Sequence, residues 1–285
     1  MSSAPTLLIA GCGDVGSRLA SQLHATGWQV YGLRRSVAAL PADITPVAAD
    51  LNDPACPEQW PQDPLDYLVY AAAATEHDEA GYRRAYFDGL ANTLSWLKAR
   101  GQSPRRVIFV SSSGVYAQDG GVWVDEQSPA EAQSYSGRIM LDAERLALDS
   151  GFPATIVRLT GIYGPGREWL LKQVRMGYRV VSEPPLYANR LHADDCAGLL
   201  AFLLQADADG KALDDLYIGV DDAPAPLHEV VGWLRDYMGV TEWAEESTVR
   251  RSGSKRCSNA RARALGWAPR YPSYREGYAA VLAGA

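Results

Sequence analysis

Apolar runs of strand length alternate with amphipathic stretches of helix length through the first 160 residues. The runs 6–10, 29–33, 45–49, 66–71, 106–110 and 154–159 predict strands, and the stretches 14–26, 79–100 and 135–150 predict helices between them. Strands that are apolar at successive positions are covered on both faces, the pattern of a parallel sheet with helices on either side. Right-handed crossovers then leave an α/β fold with a doubly wound parallel sheet as the main solution. After Pro165 the pattern loosens into short elements rich in Pro, Trp and Tyr. One strong helix, over 193–205, interrupts that mix and is expected to return to the sheet. The expected division is a sheet domain over 1–165 and a smaller, discontinuous C-terminal lobe over most of 166–285, assembled from pieces rather than set off by a linker.

Composition narrows the function. The 285 residues are 47% hydrophobic and 21% charged, an ordinary globular balance, and the formal charge of −7 argues against a nucleic-acid or anionic-membrane surface. No apolar run is long enough to span a bilayer, and the opening MSSAPTLLIAG lacks the basic segment of a signal peptide, so a cytoplasmic location is expected. Four cysteines without CxxC spacing read as reduced thiols, and four histidines without clustered ligands predict no metal site. Of the 27 basic residues 23 are arginine, which bears on every cation discussed below.

The first predicted strand runs directly into GCGDVG. Gly11, Gly13 and Gly16 stand in GxGxxG spacing, with Asp14 and Val15 opening the helix. In such a loop the first glycine makes the tight turn, the second lets backbone approach a pyrophosphate, and the third lets helix pack on strand. The second strand ends in VYGLRRS, where an NAD site wants a carboxylate for the ribose 2′-hydroxyl. Arg34 and Arg35 stand there instead, with Ser36 beside them, and a guanidinium binds a 2′-phosphate bidentately. The expected cofactor is therefore NADP(H) rather than NAD(H), on a Rossmann sheet. Asp50 and Leu51 after the third strand are placed at the adenine edge, and the small residues Ala71, Ala72 and Ala73 after the fourth let a cofactor lie close to backbone.

Four stretches, GCGDVG, VIFVSSSGVYA, RLTGIYGPGR and NRLHADDCAGLLAFLL, together resemble the extended and atypical short-chain dehydrogenase/reductases, the NAD(P)-dependent epimerase/dehydratase family, from residue 6 to about 282. The resemblance implies a Ser or Thr, a Tyr and a Lys around the nicotinamide, the lysine being needed because a free phenol titrates near ~10. It places the hydroxyl on Ser112, with Ser111 and Ser113 secondary, and Thr160, Gly161 and Ile162 around the nicotinamide end, with Tyr163 beside them. The asparagine often found in the helix after the fourth strand aligns with Gly89, a departure. His192 is expected to bond backbone near Asp194 or Asp195.

The stretch SYSGRIMLDAER departs further. Tyr135 is the tyrosine available for a YxxxK reading, yet position i+4 is Ile139, and no lysine lies between Lys98 and Lys172. Arg138 at i+3 could reach the space near Tyr135 or pair with Asp142 at i+4. A second register, anchored on Glu144, puts Ser136 and Met140 at the tyrosine and lysine positions. The catalytic candidates are thus Ser112, Tyr135 and Arg138, in an incomplete set. The function expected is an NADP-dependent oxidoreductase or epimerase/dehydratase acting on a sugar-like or nucleotide-sugar substrate. The competing reading is a non-catalytic, redox-sensing NADP(H)-binding protein. The basic set Arg167, Lys172, Arg175 and Arg179 points to an anionic small molecule as the partner, and a homodimer is the assembly expected.

Overall fold

The computed structural model describes residues 4–244 and 253–284. Along the chain run β1 (Thr6–Ala10), α1 (Asp14–His24), β2 (Gln29–Arg34), β3 (Thr45–Ala48), β4 (Tyr67–Tyr70), α2 (Glu79–Tyr82), α3 (Gly89–Ala99), β5 (Arg106–Ser112), β6 (Val122–Val124), α4 (Tyr135–Leu148) and β7 (Ala154–Leu159). They are followed by β8 (Gly161–Tyr163), α5 (Trp169–Arg175), β9 (Tyr187–Ala188), β10 (Arg190–His192), α6 (Ala193–Ala208), β11 (Leu216–Gly219), β12 (Ala225–Pro226), α7 (Leu227–Met238), β13 (Lys255–Cys257), α8 (Ala260–Leu265) and α9 (Tyr274–Leu282).

Seven strands form one sheet in the order β3-β2-β1-β4-β5-β7-β11. β1 pairs in parallel with both β2 and β4, Leu7 standing opposite Val30 on one side and Tyr67 on the other. All five residues of β1 are buried, as a strand covered on both faces requires. The order turns outward in both directions from β1 and β4, and it is at such a switch, beyond the carboxyl ends of the strands, that ligands bind. α1 supplies one of the covering layers through Val15, Leu19, Ala20 and Leu23, a buried stripe at helical spacing.

The pattern of apolar positions does not announce β11. Its four residues, LYIG, lie between two aspartate pairs, too short a run to separate from a loop.

The chain divides into two compact units, one of Met1–Val115, Ala132–Arg158 and Ala197–Tyr217, the other of Tyr116–Glu131, Leu159–Cys196 and Ile218–Ala285. In the first unit α6 is tied to the sheet by Asp207, whose carboxylate accepts from Arg106 Nε at 2.6 Å and from the Tyr67 hydroxyl at 2.9 Å. In the second unit α5, α7 and α9 close over a core that includes Tyr163, Leu171, Val174, Val230 and Leu234. Three short strand pairs, β8 with β10, β9 with β12 and β6 with β13, complete it. Among the described residues no helix is long and apolar enough to cross a membrane.

Candidate cofactor and active site

The turn from β1 into α1 is built by close approach. Gly11 has φ +80°, and a Cβ there would lie 2.4 Å from the backbone of Ala72, so the glycine loop sits directly against the segment after β4. A Cβ on Gly16 would come within 3.1 Å of Ile9, which is how α1 packs down on β1. Beside Gly13 a Cβ would meet only the Gly11 carbonyl, at 3.9 Å. Gly13 is also the N-cap of α1 and brings no side chain to its amide end, while Asp14 is held to Arg18 at 2.8 Å. An open backbone surface at an uncapped helix start fits a dinucleotide phosphate.

The end of β2 returns to this loop. Leu33 O accepts from the amides of Gly11 and Cys12, both at 3.0 Å, and half-buried Arg34 donates from Nη1 to Cys12 O at 3.3 Å. Arg35 points elsewhere, into a cavity of about 250 Å³ that is also lined by Asp50, Leu51, Ala72, Ala73, Glu76 and Arg84. Ser36 is exposed at the start of a short turn. Asp50 Oδ1 is engaged by the Asn52 backbone and side chain, each at 3.0 Å, and Leu51 O accepts from Asn92 Nδ2 at 2.9 Å. Ala71 N donates to Ala10 O at 2.8 Å, which continues the sheet ladder to the cavity's edge. In the first unit Arg35, Asp50, Leu51, Ala72 and Ala73 thus line one cavity, the glycine loop packs against Ala72, and Arg34 is bonded to that loop.

The catalytic candidates of the same unit lie on β5 and α4. β5 runs two residues beyond the expected boundary, so Ser111 and Ser112 both belong to the strand and face opposite ways. Ser111 is buried and donates to Glu144 Oε1 at 2.5 Å, and Glu144 is gripped at two points by Arg158 of β7, Nε to Oε1 at 2.9 Å and Nη2 to Oε2 at 2.6 Å. Ser112 is half-buried, its Oγ accepting from Gly114 N at 3.1 Å. A Cβ on Gly137 would stand 3.0 Å from Gly114 O, so the first turn of α4 lies against the turn that follows Ser112.

Ser134 caps α4 by accepting from Gly137 N at 3.1 Å. The Tyr135 hydroxyl donates to His77 O, and its ring stands edge-on to Tyr82 with centroids 5.7 Å apart. Ile139 and Met140 are buried. Arg138 is exposed and donates from Nη1 to Gln133 O at 2.6 Å; Asp142 takes Arg145 at 3.0 Å. Ser136, Met140 and Glu144 recur at four-residue spacing, the stripe whose last member reaches Ser111.

Thr160, Gly161 and Ile162 belong to the second unit. Thr160 is buried with Oγ1 on Gly219 O at 3.0 Å, Gly161 N donates to Asn189 O at 3.1 Å, and Ile162 stands in register with Leu191. His192 accepts from Asp194 N at Nδ1, 3.2 Å away, and is buried. Tyr116 is buried with its hydroxyl on Asp125 O at 2.9 Å. Of the basic set, Arg175 lines an open cavity of about 420 Å³ with Tyr237, Met238, Val240 and Leu282, and Arg179 lies over the Trp243 ring.

Sequence reasoning missed Arg158, Glu76 and Arg84. Arg158 reads as part of an apolar strand, and the signal that it matters is a charge at the centre of ATIVRL, where burial demands a partner.

A model of the NAD dependent epimerase/dehydratase family matches residues 7–219, and the chain belongs to that family, the extended short-chain dehydrogenase/reductases. It is 37% identical to a solved structure described as an NAD-dependent epimerase/dehydratase from Methylobacillus flagellatus, with a TM-score of 0.81 and 99% of both chains covered. A 3-diazoavenalumate denitrifying reductase from a Streptomyces species is 25% identical over 95% of this chain and 98% of its own. The UDP-glucose 4-epimerase of Thermotoga maritima, solved with UDP-glucose, shares the fold at 17% identity, with a TM-score of 0.81 over 98% of this chain and 97% of that one. Family membership makes the protein an NAD(P)-dependent enzyme of the oxidoreductase and epimerase kind.

Proposed function

We propose that the protein is an NADP(H)-dependent reductase of a small, sugar-like or nucleotide-linked carbonyl compound. The observation that carries the cofactor choice is the end of β2, where Arg34 is bonded to the glycine loop and Arg35 lines the adjoining cavity. Two guanidinium groups at this place favour a 2′-phosphate, and a carboxylate that would repel one is missing from VYGLRRS. The full-length likeness to a named reductase supports reduction over epimerisation.

When bound, the nicotinamide supplies the hydride. Ser112, at the end of β5 and against the first turn of α4, orients the substrate oxygen. Tyr135, its hydroxyl turned from His77 O to the substrate, donates the hydrogen bond that polarises the carbonyl, with a buried isoleucine rather than a lysine one turn further along the helix. Arg138 faces solvent and takes no part in proton transfer, since a guanidinium keeps its proton. A phenol that donates without ionising can polarise a carbonyl, but it is a poor base for the reverse reaction.

The test is a panel of carbonyl and nucleotide-sugar compounds followed at the NADPH absorbance, with cofactor affinity measured alongside. Turnover in the reductive direction supports the reading. Tight NADPH binding with no turnover across the panel replaces it with a redox-sensing role.

A further inference from the structure

The helical stretch after β4 is continuous but not uniform. Glu79–Tyr82 is α-helical, Arg83–Asp88 is wound as a π-helix, and Gly89 restarts the α-helix. The cause lies in β4. Tyr70 pushes its hydroxyl against the helix and donates to Ala85 O at 2.6 Å, and a Cβ on Gly89 would lie 2.4 Å from that hydroxyl oxygen. A side chain inserted into the helical ladder shifts the hydrogen-bonding register, and such bulges recur at functional sites. Here the bulge carries Arg84 on the wall of the 250 Å³ cavity that Arg35 also lines.

A second close approach holds the same wall. Gly81 allows Glu76 to pack on the start of the helix, where a Cβ would sit 2.6 Å from both Glu76 Cβ and its carbonyl oxygen. Glu76 lines the cavity and forms an ion pair with Arg84. Both partners of that pair are exposed, so it is held weakly. A cation restrained by a solvent-exposed carboxylate is free to transfer to a stronger anion, and a phosphate that accepts a guanidinium at two points is one.

We propose that Arg84 is a further specificity-determining residue for the cofactor, binding the adenosine 2′-phosphate from the helix side while Arg35 binds it from the β2 side. The proposal rests on the NADP reading above. Glu76 holds the guanidinium on the cavity wall when the phosphate is away, and Asp50, the other carboxylate there, is engaged by Asn52.

The experiment uses the whole chain and two fragments of the cofactor, 2′,5′-ADP and 5′-ADP, titrated by calorimetry. Wild type, Arg84→Ala, Arg84→Lys and the Arg34→Ala, Arg35→Ala double variant are compared, with circular dichroism to check that each is folded. Arg84→Ala should weaken 2′,5′-ADP about tenfold or more and leave 5′-ADP unchanged, as loss of a charge-assisted contact predicts. Arg84→Lys, which keeps the charge and loses the fork, should fall between. An Arg84→Ala variant that binds 2′,5′-ADP as wild type does, or loses both fragments equally, overturns the proposal while the NADP reading stands. A wild type that fails to distinguish the two fragments removes the NADP reading itself.

Discussion

Glu144 of α4 and Arg158 of β7 form a two-point ion pair in which both side chains are almost wholly buried. The pair fixes the angular setting of α4 against the sheet, and Ser111 adds a third bond to it. Removing one member leaves the other charge in the interior with no counter-ion. Arg158→Met should therefore destabilise the protein by ~3–5 kcal/mol in denaturant unfolding. Glu144→Leu combined with Arg158→Met should recover much of that loss, because the desolvation cost of both ions is then gone. A single variant within ~0.5 kcal/mol of wild type would show that the pair does not set the helix.

Asp221, in the second unit, predicts a pH dependence. Burial pushes its carboxyl up to about 7, opposed by the Ala223 amide and the Arg190 guanidinium and reinforced by Asp222 and Asp195. A carboxyl raised in the folded state contributes stability that is full below its unfolded value and is lost as pH rises through about 7. The melting temperature should thus fall between pH 5 and pH 8, and Asp221→Asn should flatten that fall. Wild type and variant with parallel profiles would contradict the assignment.

Gly277 of α9 and Tyr163 of β8 are packed so closely that a Cβ on the glycine would lie 1.8 Å from the phenolic oxygen. That oxygen is buried without a hydrogen-bond partner among the described residues. Gly277→Ala should cost ~1–3 kcal/mol by overpacking. Tyr163→Phe removes the nearest colliding atom and a buried unsatisfied group, so it should be nearly neutral alone, and it should rescue Gly277→Ala in part, because ring carbons at 2.6 and 2.9 Å remain. A double variant no better than Gly277→Ala alone would place the strain elsewhere.

The helix of the active site is tested by two hydroxyl deletions. With any turned-over substrate, Tyr135→Phe should lower kcat about tenfold, the loss of one hydrogen bond to the reacting oxygen, and Ser136→Ala should change it little. The reverse outcome would assign the donor to Ser136, the position that shares its stripe with Glu144. Ile139→Lys adds nothing to a site facing Tyr135, since residue 139 is buried; it should lower stability instead.

What the sequence disclosed followed from local rules. β1, the glycine loop and α1 were legible because turn, spacing and apolar run agree within a dozen residues, and the His192–Asp194 bond because it spans two. The π segment was not, because its cause is a hydroxyl fifteen residues away, Tyr70 on Ala85, and apolar periodicity reports nothing about such a bond. The glycine at 89, a departure from the family's asparagine, has the same origin: Tyr70 occupies the space a side chain would need. Arg158 escaped because a buried charge looks like an interruption until its partner on another element is known.

The cofactor choice is the centre of the account, and paired titrations of NADPH and NADH measure it directly. Wild type should bind NADPH about tenfold to a hundredfold tighter than NADH, and the Arg34→Ala, Arg35→Ala variant should lose most of that preference through a fall in NADPH affinity, keeping only the part that Arg84 supplies. Equal affinities in the wild type, or a preference that the double substitution leaves undiminished, would contradict it.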